Sequence, residues 1–170
     1  MSLMETTDSV SFIPPPFSVS SLENAMSTLV EEGRESISDL KALKNQRELR
    51  HRLFFHHQEW EFGPALLTDN IQLARAQSKP QKALAYYEEA RSTAKALVEN
   101  FGESAYVPAW LEINRILAEI YSMIEQPDQS VFYAREGLMA LKRGQFEPEM
   151  DPFITKLTVR FWDLLGRMPV

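Results

Sequence analysis

The three histidines of the sequence, His51, His56 and His57, are the residues whose type most suggests metal chemistry. All three lie in the stretch "RHRLFFHHQEWE". A zinc site needs three or four ligands that converge on one point. On a helix His51 and His56 are five residues apart and align poorly, and no second acidic cluster accompanies them. We therefore expect no metal site and interpret these histidines as polar helix surface.

The same region combines positive charge with aromatic rings, which is the combination that binds nucleic-acid phosphates and bases. Its residues are Lys41, Lys44, Arg47, Arg50, Arg52, Phe54, Phe55 and Trp60. However, the chain has 18 basic against 24 acidic residues and a net charge of −6. A nucleic-acid binder usually carries a basic excess. We expect no nucleic-acid partner, and we expect the aromatic rings to pack in the core.

No residue pattern in the chain predicts catalysis. The GxSxG, GxxxxGK[ST] and HExxH motifs are absent. Adjacent carboxylates such as Glu88 and Glu89 point about 100° apart on a helix, which is typical of solvated surface. There are no cysteines, so thiolate ligands, cysteine nucleophiles and disulfides are excluded. We expect a protein that is not an enzyme and has no cofactor.

The elements that would carry these residues are all predicted to be helices. Residues 1–18 are polar and then proline-rich, which predicts a flexible tail. Residues 19–58 predict an N-terminal helical region, and residues 59–170 predict a helical repeat region. Prolines at positions 80, 127 and 152 each stand where a helix begins, and Gly102 is a natural helix end. No segment alternates with period two, so we expect no strands.

Two stretches, "SKPQKALAYYEEA" and "EQPDQSVFYAREG", repeat the same pattern of small and aromatic residues. The offset from Ile71 to Ala83 equals that from Ala118 to Ser130, since 83 − 71 and 130 − 118 are both 12. Small residues seven apart on one helix face allow two helices to approach closely. The predicted packing positions are Ala83, Tyr87, Ala90, Ala118, Ser130, Ala134 and Gly137. A third copy could begin near Trp162.

This pattern resembles the tetratricopeptide repeat over about residues 60–166. Leu117, Ala118 and Tyr121 match the first helix of that repeat, and the small residues match the second helix. The spacing departs from the family, since 130 − 83 gives 47 residues rather than about 34. The resemblance implies an all-α fold of antiparallel helix hairpins, stacked as a right-handed array after extra N-terminal helices.

The resemblance also implies a non-catalytic scaffold, with a peptide or helix of another protein bound in a groove lined by the first helices. Outward positions of "PAWLEINRILAEIY" would line it, and we expect Trp110, Asn114, Arg115 and Tyr121 among them. Tyr121 also matches a packing position.

Two alternatives remain open at this point. One is a regulatory or sensory domain with a small ligand between helices, in a pocket lined by Trp60, Trp110 and Tyr86. The other is an oligomerisation module, a homodimer formed through the N-terminal helices, in which an exposed stripe of Val30, Ile37 and Leu40 would pair. No apolar run is long enough to span a membrane and no secretory signal is evident, so we expect a cytoplasmic protein without a membrane partner.

Overall fold

The computed structural model of the chain describes residues 39–144 and 146–166. Within these residues the chain forms six α-helices and no strand. The helices are α1 Leu40–His51, α2 Gly63–Arg75, α3 Pro80–Glu99, α4 Val107–Met123, α5 Pro127–Arg143 and α6 Asp151–Gly166. The prediction of an all-helical chain is therefore confirmed for the described residues. The predicted tail 1–18, and Val30 and Ile37 of the proposed dimer stripe, lie outside them.

Prolines begin most of these helices. In each of α2, α3, α4 and α5 a proline is the first or second residue. Proline is well suited to that position because its missing N–H would have no partner in the first turn and its φ angle already fits a helix. The predicted starts at Pro80 and Pro127 are confirmed.

Consecutive helices pack as antiparallel pairs. In the first pair, Gly63 at the start of α2 packs against Leu97 near the end of α3. In the middle of the same pair the Asn70 side chain donates a hydrogen bond to Glu89, with 2.9 Å between Nδ2 and Oε2. In the pair of α4 and α5, the Ser130 hydroxyl donates to the carbonyl of Ala118 at 2.8 Å. Helix α6 then packs against both α4 and α5.

The first helices of successive pairs begin at a constant interval. Helices α2, α4 and α6 start at Gly63, Val107 and Asp151, so 107 − 63 and 151 − 107 both equal 44. A three-residue 3₁₀ turn precedes each of these starts.

The side chains eight residues into the first helices repeat a local hydrogen bond. Asn70, Asn114 and Thr158 stand at the same place in α2, α4 and α6. Each donates a hydrogen bond to the carbonyl four residues earlier, at 3.1, 3.1 and 2.8 Å. The three helices therefore share this side-chain hydrogen bond as well as the 44-residue spacing.

The second helices begin at a different interval. Helix α3 starts at Pro80 and α5 at Pro127, which are 127 − 80 = 47 residues apart. The difference of three arises because α4 has 17 residues where α2 has 13, while the link after α4, residues 124–126, is one residue shorter than the link 76–79 after α2. Helix α3 in turn has 20 residues where α5 has 17. The spacing of 47 read from the sequence thus describes only the starts of the second helices.

Helix α1 is attached to the pair of α2 and α3 by buried charges. Asp69 of α2 is 1% exposed and accepts hydrogen bonds from Arg50, at 2.9 and 3.0 Å, and from Gln46 at 3.0 Å. Burial raises the pKa of Asp69 to about 6, although the Arg50 guanidinium opposes that rise. Helix α1, which lies in the described part of the predicted region 19–58, therefore contacts α2.

Candidate partner-binding surface

The four predicted groove residues of α4 occupy different environments. Trp110 is 2% exposed and Asn114 is 0% exposed. Arg115 is half-buried and forms ion pairs with Glu112 at 2.5 Å and Glu119 at 2.6 Å. The outward placement is wrong for Trp110 and Asn114, because α3, α5 and α6 all pack against α4. Whether these residues contact a partner stays a prediction.

Tyr121, the fourth predicted groove residue, belongs to an internal cluster. Its ring stacks on that of Tyr133, with 5.6 Å between centroids and 13° between planes. Both hydroxyls donate to the carboxylate of Glu88, that of Tyr133 at 3.2 Å. Burial, reinforced by the Glu88 charge, raises the pKa of Tyr133 to about 12 and raises that of Tyr121 as well. The cluster ties α3, α4 and α5 together.

The residues predicted to pack the repeat all lie in the core. Their side chains are nine-tenths or more buried: Ala83, Tyr87, Ala90, Ala118, Ser130, Ala134 and, as a backbone position, Gly137. Gly137 lies against the ring of Phe161, so α6 approaches α5 closely there.

The histidine region holds an internal contact. Nδ1 of His51 lies 3.0 Å from a carboxylate oxygen of Glu89, and its ring is 5.6 Å from that of His56. Within residues 39–144 and 146–166, no group of three His, Cys, Asp or Glu side chains is placed to hold a metal ion.

Two of the basic residues considered for nucleic-acid binding are used inside the fold. Arg47 pairs with Glu89 at 3.0 Å and Arg50 pairs with Asp69. Phe54 is 2% exposed and is therefore not available for base stacking. These contacts weaken the nucleic-acid interpretation of the region.

The three aromatic residues considered for a small-ligand pocket are spread over the fold. Trp60 is exposed in the 3₁₀ turn before α2, Tyr86 is half-buried on α3, and Trp110 is buried in α4. Leu40 of the proposed dimer stripe is half-buried at the start of α1.

The outer face of α5 carries an exposed apolar surface. Phe132 and Met139 of α5 are 53% and 58% exposed, and Trp162 of α6 is 61% exposed. Grooves run along both sides of this helix. The α3–α5 groove has a volume of about 420 Å³ and is lined by Lys95, Glu99, Trp110, Asp128, Val131, Phe132, Arg135, Glu136, Met139, Ala140 and Arg143. The α5–α6 groove has a volume of about 550 Å³ and is lined by Val131, Arg135, Leu138, Met139, Trp162 and Leu165.

The two grooves differ in their charges. The α3–α5 groove is crossed by two ion pairs, Arg91 with Glu136 and Arg143 with Glu99. The indole Nε1 of Trp110 also donates to Glu136 at 2.9 Å. In the α5–α6 groove, Arg135 is the one charged side chain among the six described lining residues. An apolar helix face can enter the α5–α6 groove without breaking an ion pair between α3 and α5.

Sequence reasoning missed this surface, although a signal for it is present. Arg47, Arg91 and Arg135 are spaced by 44, since 91 − 47 and 135 − 91 are equal. Pro64, Pro108 and Pro152 show the same interval. The two repeated stretches match at an interval of 47 residues, which is the interval between the starts of the second helices, and this match conceals the interval of 44.

No protein-family model, curated protein or solved structure matches the chain. None of the helices in the described part of the chain is long and apolar enough to cross a membrane.

Proposed function

We propose that the protein is a non-catalytic scaffold that holds a helix or peptide of another protein. In this proposal its helix pairs stack as a right-handed array similar to tetratricopeptide repeats, and the partner lies in the α5–α6 groove. The observation that carries the proposal is the exposed apolar lining of that groove, above all Met139 and Trp162. Contiguous exposed apolar surface of this kind marks interaction sites in proteins.

The shape of the groove favours a helix over a small enclosed ligand. Its lining on α5 runs from Val131 to Met139, eight residues or about 12 Å at 1.5 Å per residue. That length corresponds to about two turns of a partner helix, whose apolar side chains would interdigitate with Met139 and Trp162. The groove is bordered by α5 and α6, and among the described residues only these two helices line it.

The proposal moves the partner from the first-helix face expected from the sequence to the second-helix face. Asn114 is 0% exposed and Trp110 contributes only a 2% exposed side chain to the α3–α5 groove, whereas Met139 and Trp162 present their side chains to solvent. Binding at α5 and α6 therefore requires no rearrangement of the core.

The test compares two exposed methionines. Met139 lines the groove and is 58% exposed, while Met123 is 64% exposed at the end of α4 and does not line it. Proteins captured from source cells by the wild-type chain would be purified, and their dissociation constants measured against wild type, Met139→Lys and Met123→Lys. Burying a methionine in an interface contributes about 1.5–3 kcal/mol, so Met139→Lys is expected to weaken binding by tenfold or more.

Met123→Lys is expected to bind as wild type does, and circular dichroism would verify that both variants are folded. Equal affinity of the two variants for every captured protein would contradict the proposed groove. A chain that captures nothing and forms a stable dimer by light scattering would favour the oligomerisation alternative instead.

A further inference from the structure

The α5–α6 groove has a counterpart one unit earlier in the chain. The residues that stand 44 positions before its lining residues are Tyr87, Arg91, Ala94, Lys95, Ala118 and Tyr121. These residues lie on α3 and α4, which precede α5 and α6 by one unit. In the structure that earlier position is filled, and the element that fills it is α5.

Three contacts hold α5 in this earlier position. The Ser130 hydroxyl reaches the carbonyl of Ala118, and the ring of Tyr133 stacks on Tyr121. Glu136 pairs with Arg91 at 2.5 Å. The earlier groove is therefore filled by a small residue, a tyrosine and a glutamate that stand three positions apart, namely Ser130, Tyr133 and Glu136. The small residue Gly137 follows directly after the glutamate.

The arginine of this groove makes a paired contact that occurs twice. The Arg91 guanidinium lies over the ring of Tyr133, 5.4 Å from its centroid, and binds Glu136. Forty-four residues earlier, Arg47 of α1 lies 5.8 Å from the centroid of Tyr86 and binds both oxygens of Glu89 at 3.0 Å. In both cases one arginine holds a tyrosine and a glutamate that stand three residues apart on the next second helix.

Arg135 is the third arginine at this interval. It lines the α5–α6 groove and is exposed. It has no hydrogen bond or ion pair with any described residue. Arg135 therefore offers the cation–π and carboxylate contacts that Arg47 and Arg91 make.

We propose that the α5–α6 groove binds one helix of a partner protein that carries a small residue, an aromatic residue and a glutamate at successive intervals of three, with the aromatic ring and the glutamate on Arg135. This inference rests on the proposed scaffold function and names the chemistry of its partner. The partner helix continues the helix stacking by taking the place that a further second helix would hold.

In the printed sequence, no helix with this pattern is free of contacts within the fold. Three aromatic residues in it are followed by glutamate at the third position: Tyr86, Tyr133 and Phe146. The glutamates of the first two are bound by Arg47 and Arg91. Phe146 and Glu149 are separated by Pro148 and precede α6 in a non-helical stretch and a 3₁₀ turn. A second copy of these residues therefore has no such helix outside the contacts that its own fold already uses.

The test uses a labelled peptide that copies Pro127–Arg143, since α5 itself fills the earlier groove. A hydrocarbon staple between the positions of Arg135 and Met139 keeps the peptide helical and prevents it from binding further copies of itself. Fluorescence anisotropy would measure its affinity for the full 170-residue chain, for Arg135→Glu and for Lys82→Glu, an exposed control on α3. Arg135→Glu is expected to weaken binding by about tenfold, and Lys82→Glu is expected to leave it unchanged.

A charge reversal in the peptide supplies the decisive comparison. The peptide with Glu136→Arg is expected to bind Arg135→Glu more tightly than the original peptide does, because the ion pair is restored with opposite signs while the cation–π contact stays lost. Equal affinity of the original peptide for wild type and Arg135→Glu would overturn the inference. So would an absence of binding to wild type up to about 1 mM peptide.

The failure of this inference is distinguishable from failure of the proposed function. If the affinity of a natural partner depends on Met139 but the peptide does not bind, the scaffold function is supported and only the proposed sequence of the partner helix is contradicted. If the peptide binds through Arg135 but the affinity of natural partners does not depend on Met139, the proposed chemistry of the groove is supported and the scaffold function is contradicted.

Discussion

Replacing Gly137 by alanine should destabilise the fold, although alanine is the better helix former. A Cβ atom at this position would lie 2.3 Å from Cζ of Phe161 and 2.7 Å from both Cε atoms of its ring. Ordinary carbon–carbon contacts are about 3.5–4.0 Å, so the ring would have to move by about 1 Å or more. Phe161 is 0% exposed, so the ring cannot move into solvent and must displace other core side chains.

Two opposing terms set the magnitude. Alanine in place of glycine within a helix gains about 1 kcal/mol. Forcing an additional carbon into a filled core costs about 1–3 kcal/mol, and the enclosed ring places Gly137→Ala at the upper end. We therefore expect a net loss of about 2 kcal/mol in the free energy of unfolding.

Urea unfolding measures this loss as a lower midpoint with an unchanged slope. Gly166→Ala is the matched control, because apart from its own helix and chain neighbours no described residue lies within 4 Å of the added carbon, and its stability should change by less than about 0.5 kcal/mol. In a Phe161→Leu background the penalty of Gly137→Ala should shrink, since the obstructing ring is gone. A Gly137→Ala variant as stable as the wild type would refute the close packing of α5 on α6.

Three further predictions concern other parts of the fold. The Asp69 carboxyl should titrate near pH 6 by NMR rather than near its ordinary 3.8. Because the folded state keeps this proton where the unfolded state has lost it, stability should fall by about 3 kcal/mol as pH rises through that window, and Asp69→Asn should lack this fall. Ser130→Ala should cost about 1 kcal/mol in urea unfolding by removing the hydroxyl that donates to the Ala118 carbonyl, and an unchanged midpoint would contradict the hydrogen bond. Gly102→Ala should cost about 1–2 kcal/mol because Gly102 has φ +71°, and a stabilised variant would contradict that backbone conformation.

The helices were predictable from the sequence because their signals are local. Proline at the first or second position and an apolar stripe at helical spacing act within one or two turns. The starts of α3, α5 and α6 at Pro80, Pro127 and Asp151 follow from such signals and are confirmed.

The candidate surface was not predictable in the same way because it depends on which helices pack together. Helix α4 is buried on most of its sides, so Trp110 and Asn114 are enclosed although their spacing also fits an outward face. A single sequence does not reveal that α3, α5 and α6 all contact α4. Similarly, Met139 and Trp162 form one groove only because α5 and α6 lie side by side.

The internal repeat was predictable from the sequence only in part. The arginine interval of 44 is visible in the sequence, but its meaning depends on Arg47 and Arg91 each holding a tyrosine and a glutamate of the next second helix. Helix α4 is four residues longer than α2, and α3 is three residues longer than α5. As a result the first helices start 44 residues apart, whereas the second helices start 47 residues apart. An alignment at one interval therefore finds only half of the equivalent positions.

The ratio of dissociation constants of a purified partner for Met139→Lys and Met123→Lys tests the central claim most directly. Both methionines are exposed and only Met139 lines the α5–α6 groove, so a general loss of surface apolarity affects the two variants alike. A binding scaffold that uses this groove predicts that Met139→Lys binds at least about tenfold more weakly than Met123→Lys. Equal constants would show that partners bind elsewhere and would contradict the proposed function.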